Sequence, residues 1–71
     1  SDVYKRQREK ELRREALRRI QVREFEGLLY FCYNDIPLIE VENFCMSAEY
    51  LLQRVRDKYV DYHLTKDSWE R

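Results

Sequence analysis

The chain carries no net charge, with 14 Lys or Arg against 14 Asp or Glu. It therefore lacks the surplus positive charge that gives basic nucleic-acid-binding domains their long-range attraction to phosphate. No run approaches the roughly 20 apolar residues of a membrane span, and no charged-then-apolar signal segment is visible, so a cytoplasmic location is the default expectation. Soft metal ligands are scarce. The two cysteines, Cys32 and Cys45, have no metal-like spacing, and His63 is the single histidine, which argues against a zinc site within one chain. No internal repeat, low-complexity segment or interior linker is present. A chain of 71 residues holds one domain at most. No cofactor and no small-molecule ligand is expected.

The first seven residues, Ser1-Asp2-Val3-Tyr4-Lys5-Arg6-Gln7, are what TCA GAT GTG TAT AAG AGA CAG encodes. That string resembles the transposase mosaic end used in sequencing-library preparation, so residues 1–7 are read as an adapter-derived scar to be set apart from fold reasoning. The expected origin is a metagenomic reading frame, bacterial or phage, truncated at its N-terminus. Residues 8–71 then form one small domain of about 64 residues, a size that buries only roughly 60% of its unfolded surface. A core so small rarely stabilises a fold by more than about 3 to 5 kcal/mol, which favours self-association.

The zero net charge conceals an asymmetry: residues 1–23 sum to +5 and residues 24–71 to −5. Either a basic N-terminal arm is aimed at nucleic acid, or a basic helix lies on the acidic part of its own domain or of a neighbour. The second is favoured, given the overall neutrality.

Residues 8–21 are dense in strong helix formers without Gly, Pro or Thr, with Glu9–Arg13 and Glu15–Arg19 as favourably oriented i,i+4 pairs. The apolar stripe of this helix is narrow: Leu12, Ala16 and Ile20, with Leu17 at one edge. From Val22 the period changes to two, predicting one long strand to Tyr33, a turn at Asn34-Asp35-Ile36 before Pro37, and a returning strand Leu38–Glu42. Residues paired across a hairpin share a face. A two-residue loop would set Leu29 against Glu40, whereas a three-residue loop pairs Phe31 with Ile39 and Leu29 with Val41, and is preferred. Under that register Cys32 faces Leu38, about 23 Å of extended chain from Cys45, too far for an intramolecular disulfide. Ser47 is positioned to cap a second helix, residues 47–65, with Glu49 in its first turn. Ala48, Leu51, Leu52, Val55, Tyr59 and Tyr62 make one stripe on it, expected to pack on the Leu29/Phe31/Ile39/Val41 face. Lys66–Arg71 reads as a polar tail that leaves Trp69 over.

No residue pattern carries evident chemistry, and residues 8–71 show no recognisable family motif. The six tyrosines sit at strand or helix spacing, where aromatics serve as core or boundary residues rather than as a stacking platform for bases. His63 lies beside Asp61 and Tyr62 near a helix end without a nucleophile or second titrating partner, and reads as structural. Cys32 has no basic neighbour to lower its pKa.

The expected fold is thus α+β, a small α-β-β-α domain in which a β-hairpin packs on a C-terminal amphipathic helix. The expected function is a non-enzymatic protein–protein interaction or assembly module that buries the hairpin's second face, Leu28, Tyr30, Cys32 and Leu38, against a protein partner or a second copy in a homodimer. The alternative is a small nucleic-acid-binding regulator acting through Arg13, Arg14, Arg18 and Arg19.

Overall fold

The computed structural model of the protein describes residues 2–41 and 47–69, with side chains as far as Asp67. Its elements are α1 (Asp2–Arg19), β1 (Gln21–Phe25), β2 (Leu28–Tyr33), β3 (Ile36–Val41) and α2 (Ala48–Trp69). The strands form one antiparallel sheet in the order β1-β2-β3, so the domain is α+β, α-β-β-β-α, with a hairpin packed on the C-terminal helix.

The expected long strand from Val22 to Tyr33 is divided by a turn at Glu26-Gly27. Both residues have positive φ, 51° and 81°, as a two-residue type I′ hairpin turn requires. Gly27 is the chain's single glycine and adopts this backbone without steric cost. Glu26 has no such freedom, but a right-handed strand twist favours the primed turn strongly enough to hold it there. The turn pairs Phe25 with Leu28, Arg23 with Tyr30 and Gln21 with Cys32 on one face, and Val22 with Phe31 and Glu24 with Leu29 on the other.

The second hairpin corrects the loop while keeping the pairs. Asn34 and Asp35, at φ 48° and 64°, make a two-residue turn closed by Tyr33 and Ile36. The next pair is Cys32–Pro37, after which the register shifts, and Phe31–Ile39, Tyr30–Glu40 and Leu29–Val41 follow. Leu38 is the extra residue, a β-bulge on the edge strand. The bulge restores the parity that a two-residue loop would otherwise break. Pro37, at a position that does not hydrogen-bond to β2 in a two-residue hairpin, turns its missing donor outward on an edge strand.

Both helices lie on one face of the sheet. Two buried clusters form there: Leu12, Ala16, Tyr59 and Val60, joined by Tyr33, Leu38 and Leu64, and Phe31, Ile39, Val41 and Val55, joined by Leu29 and Leu51. Ile20 packs against both. Helix α2 therefore has two working sides, Val55 and Leu51 toward the sheet and Tyr59, Val60 and Leu64 toward α1. A single stripe that includes Leu52 does not describe it: Leu52 is 41% exposed, while Val60, outside the expected stripe, is 4% exposed.

Ser47 caps α2 as expected, its Oγ accepting a hydrogen bond from the Tyr50 backbone N–H at 3.2 Å while its carbonyl accepts one from Leu51 at 3.0 Å, which satisfies first-turn donors that would otherwise lack partners. The helix continues to Trp69 rather than ending near residue 65. Its last described side chain, Asp67, receives the Arg8 guanidinium at 3.2 Å, tying the final turns to α1. Helix α1 begins at Asp2, before the expected start at residue 8, but the side chains of residues 2–7 are all exposed. Its end comes earlier than expected, at Arg19, where Ile20 N–H donates the final helical bond to the Ala16 carbonyl at 2.9 Å. Cys32 is buried and free. Cys45, Glu42 and the tail beyond Trp69 lie outside the described residues, so the disulfide expectation and the far end of the returning strand do too.

Candidate interaction surface

The helix-free face of the sheet is built by strand alternation. Gln21, Arg23 and Phe25 come from β1, Leu28, Tyr30 and Cys32 from β2, and Pro37 and Glu40 from β3, with Arg23, Tyr30 and Glu40 in one row across the three strands. None of Phe25, Leu28, Tyr30 and Cys32 belongs to either core cluster. Phe25 is 64% exposed, beside the half-buried Leu28 and Tyr30. Cys32 is only 4% exposed, between Gln21 and Pro37 on the flanking strands.

Of the four residues expected on this face, the structure brings together Leu28, Tyr30 and Cys32. Leu38 is a correction. The bulge turns it onto the helix side, where it packs against the Leu12/Ala16/Tyr59/Val60 cluster, and Pro37 takes its place opposite Cys32. Phe25, which unbroken alternation along one long strand sets with Leu29, Phe31 and Tyr33, comes to this face instead, Arg23 was not singled out from the sequence, and Glu40 lies here as the expected hairpin register places it. The signal for the first two was Gly27, whose turn reverses the chain and lays β1 against β2.

The basic helix lies on its own domain. Arg13 donates to Asp57 at 2.8 Å and Arg8 to Asp67 at 3.2 Å, both carboxylates on α2. Gln53 adds a 3.2 Å bond to the same Asp57 oxygen. Arg19 pairs with Glu15 at 3.0 Å, the expected i,i+4 contact, whereas Arg13 reaches Asp57 across the helix pair. Arg14 and Arg18 are exposed. Each pair is partly solvated, a setting in which ion pairs contribute about 0 to 1 kcal/mol and mainly fix orientation. On the other side of the molecule, Arg23 pairs with Asp35 in the second turn.

The titratable residues inside the core form an aromatic cluster. Tyr33 meets Tyr59, Tyr62 and His63 edge-on, with centroids 5.2, 5.6 and 4.9 Å apart. Burial, followed by the charge of Glu15, pushes the Tyr59 phenol up to about 12. Glu15 lies near enough for that effect, yet its carboxylate closes no hydrogen bond of ordinary geometry with the Tyr59 hydroxyl. Burial also lowers the His63 pKa, against the opposing pull of Glu15. His63 Nε2 is buried without a hydrogen-bond partner among the described residues. The cluster supplies packing and one neutral imidazole, with no nucleophile aligned on a base.

No group of three or more His, Cys, Asp or Glu among the described residues is arranged to hold a metal, and no helix described is long and apolar enough to cross a membrane. Neither a protein-family profile nor a curated protein nor a solved structure matches this chain.

Proposed function

We propose that the protein is a non-enzymatic protein–protein interaction module that binds through the helix-free face of its sheet. The observation that carries this reading is Phe25, a large aromatic side chain 64% exposed on the same face as Leu28 and Tyr30, with neither helix packed over it. Apolar and aromatic residues clustered at the centre of a surface and rimmed by charge are typical of contact sites, where aromatic anchors dominate the binding energy. A three-stranded sheet also leaves two edges, β1 and β3, and open edges invite pairing with another chain.

Binding of nucleic acid through α1 is the weaker reading. Two of the four arginines it needs, Arg13 and Arg19, hold carboxylates, and the net charge is zero. Retained affinity for duplex or single-stranded DNA with a steep negative salt slope would revive it.

The reading is tested by placing a photo-crosslinking residue at position 25 and, as a control, at the exposed Glu49 on α2, with the full chain expressed in a bacterial cytosol. Discrete protein adducts from position 25 that are lost with Tyr30→Glu are expected. Equal labelling from both positions would overturn the assignment of this face.

A further inference from the structure

The two edges of the sheet, β1 and β3, are not alike. On β3 the bulge at Leu38 and the missing N–H of Pro37 interrupt the outer row of backbone donors, as in edges protected from further pairing. Strand β1 has no such interruption. It pairs with β2 on one side, carries neither proline nor bulge, and all five of its residues are exposed. In a hairpin closed by a two-residue turn, the pair Phe25–Leu28 and every second pair after it exchange backbone bonds. Arg23 and Gln21 therefore bond to β2, whereas Val22 and Glu24 turn their N–H and C=O groups to the open side. Val22 also extends a row of the core. It lies beside Phe31 and Ile39 on the helix side of the sheet, and those two are buried while Val22 is 57% exposed.

We propose that β1 is an assembly edge whose partner is β1 of a second copy of this chain, paired antiparallel about a twofold axis that passes between the two Val22 residues, perpendicular to the sheet. The sheets of the two copies then continue into one, with both sets of helices on the same side. The inference goes beyond binding on the helix-free face and does not depend on it. Two properties of the strand select a second copy in this register. The first is the apolar row: Val22 exchanges backbone bonds with the partner's Val22, which joins Phe31 and Val22 of one copy to those of the other. An axis through Arg23 would instead set each Val22 beside the partner's Glu24. The second property is charge. The basic part of the chain ends at Arg23 and the acidic part begins at Glu24, so antiparallel pairing about Val22 lays basic against acidic. Glu24 comes beside the partner's Ile20, directly after the Arg18-Arg19 end of α1, and its outward N–H meets the Ile20 carbonyl there. Arg18 is exposed and forms no ion pair among the described residues. Pairing the two open edges with each other closes both, and a twofold dimer is the commonest closed assembly. One short strand from each copy gives an interface below the roughly 800 Å² per partner of standard complexes, so association belongs in the micromolar range.

Sedimentation equilibrium of the full chain from about 1 μM to 1 mM spans the affinities such an interface supports. A monomer–dimer equilibrium is expected for the unaltered protein. Val22→Lys and Val22→Glu, both at an exposed position, should each raise Kd roughly tenfold or more, because residue 22 meets itself across the axis and like charges then lie side by side. An equimolar mixture of the two variants should form a heterodimer roughly tenfold tighter, or more, than either variant alone. Amide hydrogen exchange of the unaltered chain needs no substitution and decides the matter even if a variant fails to fold. The Val22 and Glu24 amides should exchange more slowly as the concentration rises through Kd, while amides on the outer side of β3 keep their rates. A monomer at every concentration, or exchange at Val22 and Glu24 that does not change with concentration, would overturn the proposal. So would a folded Val22→Lys variant that associates as tightly as the unaltered chain or more tightly, or a mixture of folded variants no tighter than its components. A monomer that still gives adducts from position 25 with a different protein would refute this pairing and leave the interaction reading standing.

Discussion

Tyr59 and His63, one turn apart on α2, stack with ring centroids 4.5 Å apart at a tilt of 56°, and each buries a polar atom, the Tyr59 hydroxyl and His63 Nε2, that has no hydrogen-bond partner among the described residues. Both side chains are therefore held in their neutral forms at the place where α1, α2 and the end of β2 meet. Desolvation penalises the charged form of each, raising the phenol pKa and lowering that of the imidazole.

Stability should fall as the pH drops from 7 to 5. The folded pKa of His63 lies below its ordinary value of 6.5, so protons bind preferentially to the unfolded chain. The contribution is fully present above pH 6.5 and is lost as pH falls through that value toward the folded pKa. The groups facing the ring set its size: Glu15 and Asp67 oppose the shift, while Arg8 and Lys66 reinforce it. Urea denaturation of His63→Phe at pH 7 and pH 5 should show a smaller difference than the unaltered chain. An equal difference would place the pH dependence elsewhere.

Tyr59→Phe should leave stability within about 1 kcal/mol or improve it, because the hydroxyl removed is buried without a partner among the described residues. Tyr59→Ala, which empties a fully buried ring site, should cost about 3 to 5 kcal/mol. The phenol raised to about 12 has the opposite pH dependence to His63. Its contribution is present below pH 10 and lost above it, and Tyr59→Phe should blunt the alkaline fall measured by thermal unfolding. A loss of about 2 kcal/mol or more for Phe at pH 7 would reveal a hydroxyl partner, with Glu15, whose charge already acts on the phenol, the candidate.

Val55→Ala and Leu12→Ala should cost more than Leu52→Ala. Val55 is 1% and Leu12 0% exposed, against 41% for Leu52. Leucine truncation in a packed core costs about 2 to 5 kcal/mol, and the smaller valine loses less. Leu52→Ala should fall within about 1 kcal/mol, close to an ordinary surface change. Chemical denaturation ranks the three, and a Leu52 cost equal to that of Leu12 would invert the assigned face of α2.

Glu26→Asn should stabilise the first hairpin, because Asn-Gly is the preferred pair for two consecutive positive φ angles. Gly27→Ala should destabilise it by about 1 kcal/mol, since alanine strains at φ +81° even though nothing lies within 4 Å of the added Cβ. The thermal midpoint checks both. If Gly27→Ala proves harmless, β1 and β2 are joined by a different turn.

Removal of residues 1–7 should leave the thermal midpoint nearly unchanged. Residues 2–7 extend α1 by helical backbone alone, with Val3 78% and Tyr4 76% exposed. A loss above about 1 kcal/mol, the size of an ordinary single-site effect, would show that these side chains pack.

Local rules acting over a few residues determined much of this protein from the sequence alone. They included the Ser47 cap and the helical densities of α1 and α2. Strand alternation likewise set Leu28, Tyr30 and Cys32 apart from Leu29 and Phe31, and parity alone recovered the Phe31–Ile39 and Leu29–Val41 pairs. The Glu26-Gly27 turn was present in the sequence but weakly marked, because glutamate is a poor turn former and the alternation of side chains runs on through it. Tertiary structure decided the rest. A two-residue turn with a bulge and a three-residue turn give the same downstream pairing, and packing against the Leu12/Ala16/Tyr59/Val60 cluster favours the bulge that carries Leu38 inward. Likewise, the narrow stripe of Leu12, Ala16 and Ile20 does not reveal which surface it covers. That is decided by the second apolar side of α2 and by Asp57 and Asp67, which bind Arg13 and Arg8, and by docking α1 there they leave the far face of the sheet, with Phe25 upon it, without a helix. Side-chain periodicity defines which residues share a face, whereas the choice of what covers that face is a competition among surfaces distant in sequence, resolved by packing and charge together.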